Sequence, residues 1–299
     1  MVDLAGVIGQ EHAKRALEIA VAGGHHILLV GPTGVGKTML AHAGQGILPP
    51  LTAKELGMYQ IGLWDGHRHR PFHSLSHSVT VAALLAGADG QLPQAARAHC
   101  GVLVLDDLPF FRPRVLGAFR EVLDARRVGK YPASLILIAT MNACPCGQLE
   151  DDRQMCTCTP HELADWWRRV PFPLLDRLDI HIEMPPVSAE KLIAARRGES
   201  SEAVRSRIER AREIQAVRFE GTSVCYNAEM HAEMVERVCV LTEPGQSLMR
   251  ALSRQVAMSA RRYHSILRVA RTIADLAGAE GIETHHLAEA IQYRPRGWR

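Results

Sequence analysis

Gly31-Pro32-Thr33-Gly34-Val35-Gly36-Lys37-Thr38 decides the fold of this chain. The stretch matches G-x-x-x-x-G-K-[ST] at every fixed position. It follows the short apolar run Ile27-Leu28-Leu29-Val30, which suits a buried parallel strand. A helix is expected to start near Gly36 and to run through Met39, Leu40 and Ala43. Between strand and helix, glycines let backbone N–H groups turn inward on phosphate oxygens, and the helix N-terminus adds its positive end. On this reading Gly31, Pro32, Thr33, Gly34, Val35, Gly36 and Met39 surround a nucleotide. Lys37 reaches the β and γ phosphates and the Thr38 hydroxyl ligates Mg2+. The bland alternative is a fortuitous glycine-rich turn, and the flanking strand counts against it.

Outward from this stretch, Val102-Leu103-Val104-Leu105 and Leu135-Ile136-Leu137-Ile138 are two further continuous apolar runs, with a helix-like segment at Arg114 to Asp124 between them. Strand, helix, strand at that spacing predicts an α/β core with a parallel sheet between helices. Upstream, Ala13, Ala16, Leu17 and Ala20 lie at helical spacing, and Gly23-Gly24 ends that helix. Residues 48–94 read as loop-rich. After Met184-Pro185-Pro186 only helical periodicity remains, so a boundary is expected near Pro186: a nucleotide-binding core over 1–186 and an all-α lid over 187–299. The lid helices are expected over Ser201 to Arg218, Ala228 to Val240, Pro244 to Ala257, Ser259 to Ala277 and Thr284 to Tyr293, with Gly278 as a C-terminal cap and Thr284 as an N-cap.

The 299 residues include 35 basic and 32 acidic side chains, a near balance that exerts little long-range pull on nucleic acid. Any contact with a polyanion must come from a local patch. No stretch has the length and apolarity of a membrane span, and the N-terminus lacks a basic-then-apolar leader, so a soluble cytoplasmic protein without membrane contact is expected. Seven cysteines argue against a disulfide framework and for reduced thiols or a metal site.

Asp106 and Asp107 follow the second apolar run, where carboxylates at a strand's C-terminal edge orient Mg2+ and polarise an attacking water. Asp106 is the metal-side candidate and Asp107 the base; a solvated turn is the alternative. Cys144, Cys146, Cys156 and Cys158 form two C-x-C pairs. They read as a tetrahedral structural Zn2+ site, as free thiols, or as a redox pair, because C-x-C is tighter than common chelating spacings. His161 is a substitute ligand. Gly66-His67-Arg68-His69-Arg70, with His73 and His77, reads as a polyanion-contacting loop or as a solvated one. Arg205, Arg207, Arg210 and Arg212, among Glu202, Glu209 and Glu213, read as a salt-bridged solvent face. Trp166 and Trp167 read as packing residues or as platforms for bases.

Gly9-Gln10-Glu11-His12-Ala13-Lys14-Arg15-Ala16-Leu17, the glycine loop, Gly101 to Pro109, Met141 to Gly147, Leu174 to Asp179 and the tail Ser259 to Leu276 together resemble the magnesium-chelatase-like branch of the AAA+ ATPases, within it the competence-protein group. The similarity covers nearly the whole chain. It implies ATP hydrolysis in a ring, usually a hexamer, with ATP between subunits. Asn142 matches the polar sensor that positions the hydrolytic water. Arg177 matches the arginine finger that reaches a neighbour's γ-phosphate, although beside Asp176 and Asp179 it reads equally as a local ion pair. Arg261, with Arg268 as second choice, matches the lid arginine that senses the γ-phosphate in its own subunit; without the resemblance it is a solvated helix residue.

Three departures stand out. Relatives generally carry Glu at the position of Asp107, which implies slow hydrolysis. The segment Ala125 to Ala133 is shorter than the pore hairpin of DNA-handling relatives, although Arg126, Arg127 and Lys130 keep it basic. The chain also reads as the ATPase core without the Lon-protease-like N-terminal domain of those relatives. The resemblance therefore implies a helicase-like, branch-migrating DNA motor acting on single-stranded or branched DNA. The alternatives are a protein-remodelling ring of the chelatase or MoxR-like kind, and a slowly hydrolysing ATP-dependent binding module.

Overall fold

The structure, a computed structural model, describes residues 2–60, 70–87, 91–151, 153–194 and 197–294. Helix α1 (Glu11–Gly23) ends on Gly24 in the left-handed region and leads into β1 (Ile27–Val30). There follow α2 (Lys37–Ala43), α3 (Ala53–Gln60), β2 (Phe72–Leu75), α4 (Val81–Leu85), α5 (Gln94–Arg97), β3 (Val102–Leu105) and α6 (Pro113–Ala125). A two-stranded hairpin, β4 (Arg127–Val128) and β5 (Tyr131–Pro132), precedes β6 (Ile136–Met141), α7 (Pro160–Arg168), α8 (Phe172–Leu175) and β7 (Ile180–Glu183). The remainder is helical: α9 (Ala189–Ala194), α10 (Ser201–Arg218), α11 (Ala232–Val238), α12 (Glu243–Gln255), α13 (Ala260–Leu276) and α14 (Thr284–Gln292).

The main sheet has the order β2-β3-β6-β1-β7 and every pairing in it is parallel. The apolar runs of β1, β3 and β6 are buried throughout, as expected of strands covered on both faces. Register places Val30 beside Met141 and Leu105 beside Ala139. Because the strands run the same way, the turns after β1, β3 and β6 leave one edge of the sheet together, with β6 between the other two. That common edge is what assembles the site. The fold is thus the expected αβα core followed by an all-α region.

The helical region does not stand apart from the core. Helix α1 packs on α10 and α13, and Leu17, Ile19 and Ala20 share one buried cluster with Ile208, Ala211, Ile266 and Ala270. Burying a Leu or Ile side chain of this kind stabilises by roughly 1.5–3 kcal/mol.

Three local readings need correction. The loop-rich segment contains an edge strand, β2, whose mixed sequence gives no apolar run but which pairs with β3 from Phe72 to Leu75. The helix expected over Ala228 to Val240 is a single 3-10 turn (Asn227–Glu229) and then α11, started by the His231 side chain accepting from the Met234 N–H. Thr284 is already helical; the N-cap is Glu283, paired with His286 in a capping box. Gly278, just past α13, has φ +69°, a conformation that favours glycine.

Candidate functional site

Within the glycine loop, Gly34 (φ +82°) and Gly36 (φ +96°) hold conformations that L side chains rarely adopt. A Cβ on Gly34 would meet nothing within 4 Å, so the loop is open on that side. Gly31 is required for another reason: a Cβ there would lie 2.4 Å from the Met184 carbonyl oxygen, just past β7. Lys37 is buried, and its Nζ donates to the Gly31 carbonyl (2.9 Å), the Pro32 carbonyl (2.7 Å) and Asn142 Oδ1 (2.8 Å). Burial pulls the Lys37 ammonium below its usual pKa, and the charges of Asp107 and Asp106 oppose that shift.

Thr38 Oγ1 donates to the Asp106 carboxylate at 3.0 and 3.1 Å. Thr140, on β6, also donates to Asp106 Oδ1 (2.6 Å) and accepts from the Asp107 N–H at 2.9 Å. A hydroxyl and a carboxylate in contact form the hard oxygen set that Mg2+ prefers, so these residues fit the ion. Asp107 is half-buried in the left-handed region (φ 56°, ψ 63°), an uncommon conformation for a non-glycine residue that concentrates at functional sites. Burial, and then the neighbouring Asp106 charge, raise its carboxyl above the ordinary aspartate range.

Sequence reasoning missed what holds these groups in place. The Trp166 indole, on α7, donates to the Asn142 carbonyl at 2.8 Å, and Trp167 donates to the Ala143 carbonyl at 3.1 Å. The two tryptophans are therefore packing residues that grip the turn after β6, and Phe110 packs edge-on to Trp166 at 5.5 Å. Thr159-x-x-Glu162 was the available signal, a capping box that fixes the start of α7. Gln10 was also missed: its side chain donates to the Pro185 carbonyl (2.6 Å) and reaches the Val35 carbonyl (3.5 Å).

The four cysteines Cys144, Cys146, Cys156 and Cys158 converge, all four Sγ atoms lying within 4.8 Å of one another. They can hold a metal ion. His161 is not among them; it is exposed on α7 and faces Asp165 at 3.2 Å.

Arg177, Arg261 and Arg268 gather elsewhere. They line a cavity of about 550 Å3 together with Gly24, His26, Ser134 and Asp179, residues that precede β1, β6 and β7. The glycine loop follows β1. Four strand residues, about 13 Å, separate the two ends. The structure therefore does not bring Arg261 or Arg268 to the phosphate loop of the same chain. Arg261 faces Asp176 at 3.7 Å, and Arg268 Nε is buried with no hydrogen-bond partner among the described residues. Arg177 is ion-paired, but with Asp124 of α6 rather than with Asp176 or Asp179.

The basic stretches divide. Gly66, His67, Arg68 and His69 lie outside the described residues. Arg70 is buried, paired with Glu55 (2.6 and 2.9 Å), and donates to the Pro49, Pro50 and Cys100 carbonyls; it is a brace, not a polyanion contact. Arg205 keeps the expected surface pairing with Glu209, whereas Arg207 turns to the buried Glu18 of α1 and to Glu199. Arg212 is buried, stacked 3.7 Å from the centre of the Tyr226 ring. Arg126, which caps α6 just before the hairpin, faces Glu229 at 3.6 Å; within the hairpin Arg127 donates to the Gly129 carbonyl and Lys130 lies over the Tyr131 ring.

Comparison with known sequences gives two family matches, "Magnesium chelatase, subunit ChlI" over residues 3–192 and "Magnesium chelatase, subunit ChlI C-terminal" over 198–294. The chain is 37% identical to the uncharacterised protein YifB of Salmonella typhimurium and to the competence protein ComM of Haemophilus influenzae, in each case over 98% of its length. It is 36% identical to an uncharacterised protein of Mycobacterium tuberculosis over 99% of its length. The chain spans 60% of the first two relatives and 62% of the third.

Proposed function

The chain belongs to the magnesium chelatase ChlI family, and on that premise we propose that it is a Mg2+-dependent ATPase acting as one subunit of a homo-oligomeric AAA+ ring, hexameric in this reading, that remodels DNA in a helicase-like manner. The observation that carries the ATPase reading is the convergence of Lys37, Thr38, Asp106, Asp107 and Asn142 from three parallel strand ends. Gly31 to Met39 cradle the nucleotide. Lys37 exchanges its carbonyl partners for phosphate oxygens and balances their charge, while Asn142 and Asp107 orient and polarise the attacking water. Thr38 and Asp106 would hold Mg2+, which when bound would supply neutralisation of the charge that develops on the phosphoryl group. The core 1–186 and the lid 187–299 serve as the two working parts. Zn2+ at the four cysteines is a second candidate cofactor.

Arg177 serves as a finger toward a neighbouring subunit, since in its own chain it belongs to the cavity at the opposite strand ends. DNA is preferred as substrate because a similar protein is named for competence and the hairpin remains basic. The strained, half-buried Asp107 favours slow turnover. Among the described residues no helix is long and apolar enough to cross a membrane, in keeping with work in the cytoplasm.

The test is the steady-state ATPase rate with and without single-stranded and forked DNA, with Lys37→Ala as control. Stimulation by DNA that the substitution abolishes supports the reading. Turnover indifferent to DNA moves the substrate to a protein partner, and tight ATP binding without phosphate release leaves a nucleotide-dependent binding module.

A further inference from the structure

We propose that Cys144, Cys146, Cys156 and Cys158 bind one Zn2+ as a tetrathiolate, and that this metal clamps the sensor turn onto the phosphate loop. The geometry carries the first part. A tetrahedral zinc with bonds of ~2.3 Å sets its sulfurs about 3.8 Å apart. The Sγ separations are 3.3 Å for Cys144 and Cys146, 3.6 Å for Cys146 and Cys156, and 3.8 Å for Cys156 and Cys144, with Cys158 inside the same group. A disulfide needs about 2.05 Å, so the thiols stand at coordination distance and not at bonding distance. The turn is shaped to present sulfur: the Leu149 N–H donates to Cys144 Sγ at 3.2 Å, and Gly147, at φ +75°, returns its N–H to the Cys144 carbonyl at 3.1 Å. Both C-x-C pairs reach one point because the intervening chain doubles back, which the tight spacing within each pair did not suggest. On binding, each thiol releases its proton to solvent.

The second part follows from what the loop touches. The Thr33 N–H, in the phosphate loop, donates to the Gly147 carbonyl at 2.8 Å. The approach is so close that a Cβ on Gly147 would lie 2.1 Å from Thr33 Oγ1. At its other end the same turn begins at Asn142, which contacts Lys37. Residues 148–159 contain no helix or strand among the described residues, and Met155 is 88% exposed, so little apolar burial anchors the far cysteines. A metal cross-link supplies the missing constraint. Zinc is preferred to other ions because four thiolates leave no open position and select a soft or borderline metal. The clamping role rests on the ATPase reading; the metal site does not.

The experiment takes the full chain, purified under reducing conditions without chelator or polyhistidine tag, and measures bound metal by mass spectrometry. About one zinc per chain is expected, released when an organomercurial blocks the thiols. Co2+ added to the metal-free protein should give the visible and near-ultraviolet bands of a tetrahedral tetrathiolate. The double variant Cys156→Ser/Cys158→Ser, checked for native circular dichroism, should lose both. Hydrogen exchange then tests the clamp: amides of residues 143–149 should exchange at least about tenfold faster without metal. Folded protein with neither zinc nor the cobalt bands overturns the site. Bound zinc with unchanged exchange overturns the clamp. Bound zinc with no hydrolysis removes the ATPase reading and leaves the site standing.

Discussion

Lys37 Nζ stands 2.8 Å from Asn142 Oδ1, so the lysine of the glycine loop and the asparagine just past β6, 105 residues apart in the chain, form one hydrogen-bonded unit. The unit is held from behind by Trp166, whose indole occupies the Asn142 carbonyl. Asn142→Ala is expected to lower kcat by about 10²–10³-fold, the usual cost of one positioned polar group, with native stability largely kept. Trp166→Phe leaves the Asn142 carbonyl unpaired and should cost about 1–3 kcal/mol in urea unfolding, together with a fall in kcat. Loss of stability without any change in kcat would mean that the tryptophan does not position the sensor.

The raised carboxyl of Asp107 makes a pH prediction. The folded protein holds this proton more tightly than the unfolded chain does. The stability linked to the group is therefore present below the ordinary aspartate pKa and is lost as pH rises through the higher folded value. Asp107→Asn should raise Tm at neutral pH, by a margin that shrinks toward acid, while abolishing turnover. The acid limb of the wild-type rate should lie above that of an unperturbed aspartate. A Tm difference independent of pH would show that the ionised carboxylate is not the source of the strain.

Arg177 divides a finger from a strut. Arg177→Ala breaks the Asp124 pair and, if the finger acts between subunits, should lower kcat by about 10³–10⁵-fold. Mixing Arg177→Ala with Lys37→Ala should then restore activity, because some interfaces would join an intact phosphate loop to an intact arginine. No recovery in assembled mixed rings would leave Arg177 as a structural partner of Asp124.

Arg70 and Glu55 are both almost fully buried and grip each other through two hydrogen bonds, with Tyr226 of the helical region contributing its hydroxyl at 3.1 Å. Arg70→Ala strands the Glu55 charge and should cost about 3–5 kcal/mol in denaturant unfolding. The double change Arg70→Met/Glu55→Leu should cost clearly less, since no uncompensated charge remains. Equal losses in the two variants would assign the effect to packing.

By itself the sequence determined the elements whose signals are local. The glycine loop between an apolar strand and a helix, the runs of β3 and β6 and the span of α10 are each written in consecutive residues, where periodicity and backbone permissiveness act over one or two turns. Asp106 and Asp107 stand directly after the apolar run of β3 and were singled out from that local signal, whereas Asn142 was singled out only through the family resemblance. Only the tertiary structure decided what depends on contacts between distant segments. The edge strand β2 exists because β3 offers it a partner; the isolated sequence carries no apolar run there. Arg70 and Arg212 read as surface charge until packing buried one on Glu55 and the other on Tyr226. The indoles of Trp166 and Trp167 became clamps because α7 lies against the turn after β6. The four cysteines met because a loop without regular structure folds back, and Arg261 and Arg268 fell at the opposite strand ends because α13 packs on α1. Side-chain type and spacing report what a segment can do; the direction from which another segment approaches it is a property of the whole fold.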